Sequence, residues 1–318
     1  MFGIFKKIKS YMTSQQVLYK RVEDLHKAYA DDLKVAKINL GQIHAQLNNQ
    51  KEFIHNLSEV EFQIFSQWGD DGIIQYLINK IEIPNKTFIE FGVESYKESN
   101  TRFLLINNNW SGYIIDGSQA NIDFIKRDVI SWACELHAET SFITAENINE
   151  LLGRPNFGKE IGLLSIDIDG NDYWVWKAID TISPVIVIVE YNSVFGVNHA
   201  WTVPYDPGFV KYEKHSSIIY YGASLKALCL LAAEKGYVFV GCNSKGNNAY
   251  FIRSDKMPTA LSVKTPEEGY VVSKFREASV NGFRPSGADR IKLLSNLDIF
   301  DVEKNETVKI NPEMVKFK

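Results

Sequence analysis

The stretch LLSIDIDGND, Leu163 to Asp172, sets three carboxylates, Asp167, Asp169 and Asp172, just past an apolar run. Alternate residues of a strand share a face, so Asp167 and Asp169 are expected to point the same way. A second apolar run, PVIVIVEYN, ends in Glu190 and Asn192 with the same spacing of two. If the two runs are neighbouring parallel strands, these four groups meet at one rim. Oxygen ligands from adjacent strand ends suit Mg2+, which keeps several waters and leaves room for a substrate oxygen. Such an ion lowers the pKa of a bound hydroxyl; without it, one of the acids can act as general base. An EF-hand is excluded: counting from Asp167, the glycine falls at the fourth position rather than the sixth, and the twelfth is Ala178. A cap on the helix YWVWKAI accounts for Asn171 or Asp172 but not for Asp167 and Asp169.

A first strand-to-helix turn is expected in IEFGVESYKESN. Its one glycine, Gly92, and two acids, Glu90 and Glu94, match neither GxGxxG nor a Walker loop. These carboxylates repel a pyrophosphate. They favour a cationic ligand without phosphate, such as S-adenosylmethionine (SAM) with its sulfonium and ammonium, and Gly92 lets backbone come close to it. Asp116, at the end of the next strand in GYIIDGS, stands where α/β folds commonly bind ribose hydroxyls. Turns with glycine and aspartate are also common in any α/β domain.

The elements that would position these residues follow from periodicity. From about residue 65, short β-branched runs alternate with amphipathic helices, which implies right-handed crossovers and a mostly parallel sheet covered on both faces. YVFVGC and NAYFIR alone have hairpin spacing, so the last strand is expected to run antiparallel. Ligands of such doubly wound sheets bind beyond the carboxyl ends of the strands, where strand order reverses. Before this body, residues 14–62 lack proline and carry a helical stripe: Leu18, Val22, Leu25, Tyr29, Leu33, Ala36, Leu40, Ile43, Leu47, Gln50, Ile54 and Leu57. Its steps of three and four make a heptad seam with one stutter near Tyr29. Two readings stand: a coiled coil joining protomers, which the polar remaining faces favour, or a long helix folded back on the body. The expected division is a helical leader over 1–60, an α/β body over 61–254 and an appendage over 255–318.

Of 318 residues, 45% are hydrophobic and 23% charged, with a formal net charge of −4. This is ordinary globular usage and lacks the broad basic field of a nucleic-acid binder. Three scattered cysteines, Cys134, Cys229 and Cys242, read as a reduced, cytoplasmic setting. No run reaches the about 20 apolar residues of a membrane span. Residues 1–10, MFGIFKKIKS, could rest on the inner membrane face through Phe2, Phe5 and Ile8 with Lys6, Lys7 and Lys9 on head groups, or stay solvated.

Together, FSQWGDDGIIQYLI, FIEFGVES, GYIIDGS, SFITAENINELL, LLSIDIDGNDYWVWKAI, VIVEYNSVFG, YYGASLKAL and GYVFVGCNSKGNNAYFIR resemble class I SAM-dependent methyltransferases. The similarity is to FkbM-like proteins and to proteins of bacterial surface-glycan gene clusters. It covers about residues 65–253 and, more weakly, VSKFREASVNG in the tail. The resemblance implies a Rossmann-like, doubly wound, seven-stranded sheet with its last strand antiparallel, SAM as donor, and a sugar or glycan hydroxyl as acceptor. It puts Glu90, Gly92, Glu94 and Asp167 at the donor, Asp116 on the ribose, Thr144 or Glu146 near the adenine, and Gln67 and Asp71 over the cofactor. By analogy with catechol O-methyltransferase-like enzymes, Asp167 or Asp169, Glu190 and Asn192 would hold Mg2+, although Glu-Tyr-Asn replaces the usual Asp-Asn pair. His199, in the loop after the fifth strand, is the leading base candidate alongside Asp169, with His215 weaker. A loop histidine is also commonly just exposed or capping. Trp201, Tyr205, Tyr220 and Tyr221 either stack on a sugar ring or pack internally. The same fold could instead serve a metal-dependent hydroxylase or hydrolase, or a non-catalytic scaffold of a glycan-assembly complex.

Overall fold

The computed structural model describes residues 2–275 and 284–318, with side chains from residue 15 onward except that of Asp31. In chain order the elements are α1 (Phe2–Asn49), α2 (Asp70–Lys80), β1 (Thr87–Phe91), α3 (Arg102–Asn108), β2 (Ser111–Asp116), α4 (Gln119–Arg127), α5 (Ile130–Ala133) and β3 (Leu136–Thr140). There follow α6 (Ile148–Gly153), β4 (Glu160–Ile166), α7 (Asp172–Ala178), β5 (Ser183–Glu190), β6 (Trp201–Thr202), α8 (Lys211–Lys214), α9 (Leu225–Glu234), β7 (Tyr237–Cys242) and β8 (Asn248–Arg253). The tail supplies α10 (Pro266–Gly269), β9 (Asp298–Asp301) and β10 (Glu306–Lys309).

Seven strands form one sheet in the order β3-β2-β1-β4-β5-β8-β7. β8 runs antiparallel to both β5 and β7, and the other neighbouring pairs are parallel. This is the expected doubly wound, Rossmann-like sheet with a reversed last strand. Its strands are apolar on both sides because both sides are covered. Ile89, Leu164 and Val187 belong to one core with α7 and α9, while Phe88, Leu163 and Ile186 belong to the other with α2 and α3. The chain builds outward from β1 through β2 to β3, then crosses back to lay β4 on the other side of β1. The switch point therefore lies between β1 and β4, where strand order opens a crevice.

At that point Gly92 has φ +69, and a Cβ there would stand 1.7 Å from the backbone oxygen of Asp167. Glycine lets the two strand ends approach each other, so the close contact is between backbones rather than with a ligand.

The helical leader is shorter than its stripe. α1 ends at Asn49, within the run Asn48-Asn49-Gln50, whose asparagines are weak helix formers, and the Asn48 side chain donates to the Val60 carbonyl at 2.8 Å. Ile54 and Leu57 thus leave the helix and are buried in the α2 face of the core. The end of the leader packs on the body: a Cβ on Gly41 would stand 2.7 Å from the Phe103 ring, and the Gln42 side chain donates to Asn107 at 2.9 Å. The expectation for residues 1–10 rests on side chains outside the described ones, and most of VSKFREASVNG also lies outside the described residues.

The appendage is not peripheral to the site. β9 pairs with β10 and with β6, which belongs to the loop after β5. Ile291, Leu294, Ile299 and Ile310 pack there against Phe195, Trp201, Phe209 and Tyr221. The tail thereby fixes the loop that returns to the sheet's carboxyl edge. Among the described residues no helix is long and apolar enough to cross a membrane.

Candidate functional site

The carboxyl ends of β1, β2, β4 and β5 frame a cavity of about 490 Å³. Among the described residues seven carboxylates line it, Glu90, Glu94, Glu98, Asp116, Asp167, Asp169 and Glu190, with one ammonium, Lys211. Gln67, Gly92, Phe142, Ile143, Asn171, Phe209, Tyr221 and Phe275 complete much of the wall. The acids expected from separate strand ends do gather on one rim.

On the β1/β2 side the acids are tied to backbone. Glu90 accepts from the Asn100 amide at 2.8 Å, from the Thr101 amide at 3.2 Å and from the Thr101 hydroxyl. Burial nevertheless pushes its carboxyl up to about 7, against the lowering effect of those donors. Asp116 accepts from the Glu94 amide (2.8 Å), the Ser118 amide (2.8 Å) and the Asn121 side chain (3.0 Å). One carboxylate thus ties the β1 turn to the start of α4. Glu94 takes φ 47, the left-handed conformation a non-glycine residue adopts rarely.

On the β4/β5 side the acids face one another. Carboxylate oxygens of Asp167, Asp169 and Glu190 lie within 4.8 Å of one another. β4 stops at Ile166, so strand alternation does not bring Asp167 and Asp169 together. A turn does: Asp169 has φ 56, and Asp172 accepts from the amides of Ile168 (2.8 Å) and Gly170 (2.9 Å). Asp172 folds back to brace this turn, where a forward helix cap was expected; burial pushes its carboxyl up to about 6. Burial, then the charges of Asp169 and Asp172, hold the Asp167 carboxyl well above the usual carboxylate range, opposed by Lys211 and by a hydrogen bond with Glu190. Lys211 donates to Asp169 and lies 5.3 Å from the centre of the Tyr221 ring, while Tyr221 donates to Glu190 at 3.5 Å.

Gln67, Glu90, Gly92, Glu94, Asp116, Asp167, Asp169 and Glu190 all line the cavity. Four candidates take other roles. His199 is away from the cavity wall, stacked on Trp201 with ring centres 4.1 Å apart and its Nε2 3.1 Å from the Met314 carbonyl. β6 and the tail claim it. Asp71 is buried, and its Oδ2 accepts from the amides of Ile64, Phe65 and Ser66 at 2.7 to 2.8 Å, so it shapes the loop before α2. Burial pushes Asp71 up to about 6. Asn192 spends its amide on the carbonyls of Ile219 (2.8 Å) and Tyr221 (2.9 Å) and its oxygen on the Val194 amide (3.0 Å). It holds the loop that carries Tyr221 and is not turned to the three carboxylates. Thr144 is off the wall, which is formed instead by Ser141, Phe142 and Ile143; its hydroxyl accepts from the Asn147 amide at 3.3 Å. Glu146 is bonded to Tyr205. His215 pairs with Ser217 at 2.6 Å. Trp201 and Tyr220 are packed in the tail core, so of the four aromatics only Tyr221 lines the cavity.

Lys211, Phe209, Asn171 and Phe275 are site residues that sequence reasoning missed. Lys211 opens the four-residue α8 in a stretch that carries no motif, and only the return of that loop over β4 brings it to Asp169.

No family model matches the chain, and no curated protein matches it. Among solved structures it is similar to the N-terminal domain of EvdMO1 with S-adenosylhomocysteine (SAH) bound, at 10% identity and TM-score 0.38, over 59% of this chain and 81% of that one. It is similar to M. capricolum TrmK in complex with SAH, at 13% and 0.34, over 59% and 70%. A putative caffeoyl-CoA O-methyltransferase from Staphylococcus aureus matches at 16% and 0.40, over 72% and 99%. At these identities and TM-scores the likenesses carry no functional argument, which rests on the cavity itself.

Proposed function

We propose that the protein is a SAM-dependent O-methyltransferase of the FkbM-like kind, acting on a hydroxyl of a sugar or cell-surface glycan. The observation that carries this reading is the charge of the switch-point cavity, seven carboxylates against one lysine among the described residues. A phosphorylated nucleotide meets repulsion at every strand end, whereas a sulfonium with an ammonium meets complementary charge. Asp116 and the Gly92 turn supply the donor side, with Phe142 as an apolar wall.

Methyl transfer is an in-line displacement: the acceptor oxygen forms a bond to the methyl carbon as the carbon–sulfur bond breaks, leaving SAH. Alignment and exclusion of water supply most of the rate. The acceptor's proton goes to the carboxylate group of Asp167 and Glu190. Burial and its acidic neighbours hold the Asp167 carboxyl well above the usual carboxylate range. A cation entering the same cavity relieves that repulsion, so donor binding favours the ionised form of the base. Lys211 holds Asp169 in place, and the Tyr221 and Phe209 rings offer stacking surface to a sugar.

Asp167, Asp169 and Glu190 also fit a divalent ion such as Mg2+ by donor type and closeness, with Asn192 excluded from the set. Such an ion would acidify the acceptor hydroxyl. Lys211 would then have to leave Asp169.

Transfer of labelled methyl from SAM to a panel of monosaccharides, nucleotide-free oligosaccharides and glycolipids tests the reading. Label appearing on a sugar oxygen is expected, and its appearance only on protein, nitrogen or nucleic-acid acceptors would overturn the assignment.

A further inference from the structure

We infer that α1 is the self-association element of this protein: its exposed heptad seam is covered by the α1 seam of a second copy. The helix carries two apolar stripes with different fates. Ile38, Gly41, Ala45 and Asn48, spaced three, four and three apart, turn to the body, where a Cβ on Gly41 would stand 2.7 Å from the Phe103 ring. The other stripe, Leu18, Val22, Leu25, Tyr29, Leu33, Leu40, Ile43 and Leu47, is 43 to 68% exposed. Leu40, Ile43 and Leu47 stay exposed even beside the body, because the docked stripe lies on the opposite side of the helix.

Two further observations point to a helix of the same kind as the occupant. First, every described side chain over residues 16–37 is exposed, so roughly 32 Å of helix buries no apolar face in the single chain. Helices in water draw most of their stability from packing of an apolar face, and this segment has none from its own body. Second, the stripe runs in three- and four-residue steps with one stutter near Tyr29, the pattern by which one helix seats on another, whereas a helix lying on lipid needs a broad apolar sector. Lys20, Arg21, Glu23, Asp24 and Lys27 crowd the rest of its surface with both signs of charge. Two copies of the seam together bury on the order of 1,500 Å², within the range of stable interfaces. The seam is identical on each copy, so a second chain offers it a matching surface without any further component.

Sedimentation of the full chain over a range of concentrations tests this. The expected mass is at least twice the 36.2 kDa of the chain. Leu25→Lys combined with Leu40→Lys should return it to a single-chain mass, with far-UV helicity falling as the projecting segment loses its partner. Val35→Lys, on the same helix at 57% exposure but off the seam, should leave the mass unchanged. A single-chain mass for the unmodified protein at tens of micromolar, or an oligomer that survives the double substitution, would overturn the inference. So would a monomer that floats with phosphatidylglycerol vesicles through this seam, since that would assign the face to lipid. The seam lies outside the cavity, so neither result depends on what the cavity binds.

Discussion

The two sides of the cavity use the same residue types in opposite ways. At the β1/β2 ends, Glu90 and Asp116 are saturated with amide and side-chain donors, so their charge is spent on holding turns. At the β4/β5 ends, Asp167, Asp169 and Glu190 are pressed together with one lysine, and their mutual repulsion is relieved only by a proton or another cation. The first arrangement makes a rigid cradle. The second makes a proton store that responds to what enters. Acidic residues at a sheet edge are thus not one signal but two, separated by where their hydrogen bonds go.

The largest expected effect breaks the junction between the sides. Gly92→Ala puts a methyl into the Asp167 carbonyl, and the strained φ adds to the clash. A loss of about 3 kcal/mol or more in urea unfolding is expected, since nothing but backbone is there to give way. Asp167→Asn should disable the proton store alone: kcat falls about 10²- to 10⁴-fold, while SAH affinity stays within a few-fold. Asp116→Ala should do the reverse, weakening SAH about tenfold to a hundredfold by removing charged hydrogen bonds, with a smaller effect on kcat at saturation. His199→Ala sharpens the contrast from outside, since this histidine belongs to the β6 and tail packing; kcat should remain within about twofold.

The sides also differ in how pH should act on them. Burial raises Glu90 to about 7 and Asp71 and Asp172 to about 6, so the folded chain holds protons the unfolded chain has released. Their stabilising contribution is full below about pH 4 and is lost as pH rises through about 6 to 7. Melting temperature should therefore decline between about pH 5 and 7.5. Affinity for a cationic donor should move the other way, rising over about pH 6 to 8, because binding favours the ionised acids. Calorimetry in two buffers of different ionisation enthalpy would report the accompanying proton release.

The sheet was legible because burial on both faces leaves continuous apolar runs, and strand ends can be read off them. Asp116, Glu90, Asp167 and Glu190 followed from that reading alone. Asp169 reached the site by a left-handed turn rather than by strand alternation, so a correct placement had the wrong cause. Lys211, Phe209 and Phe275 were invisible because they arrive by tertiary return of loops without periodicity. His199, Asp71, Asn192 and Thr144 stand off the cavity wall, since residue type near a strand end says nothing of which amide or carbonyl claims the side chain. The heptad seam was readable, but its end was not: the helix stops at Asn49, and Ile54 and Leu57 are spent in the core.

The central claim is that the switch-point cavity is built for a cation and against phosphate. Titration calorimetry of the protein with SAM, SAH, ATP and NAD tests it side by side. The account predicts one-to-one binding of SAM and SAH in the micromolar range, weakened about tenfold to a hundredfold by Asp116→Ala, and no detectable heat with ATP or NAD. Binding of either phosphorylated nucleotide with SAM inert would contradict it.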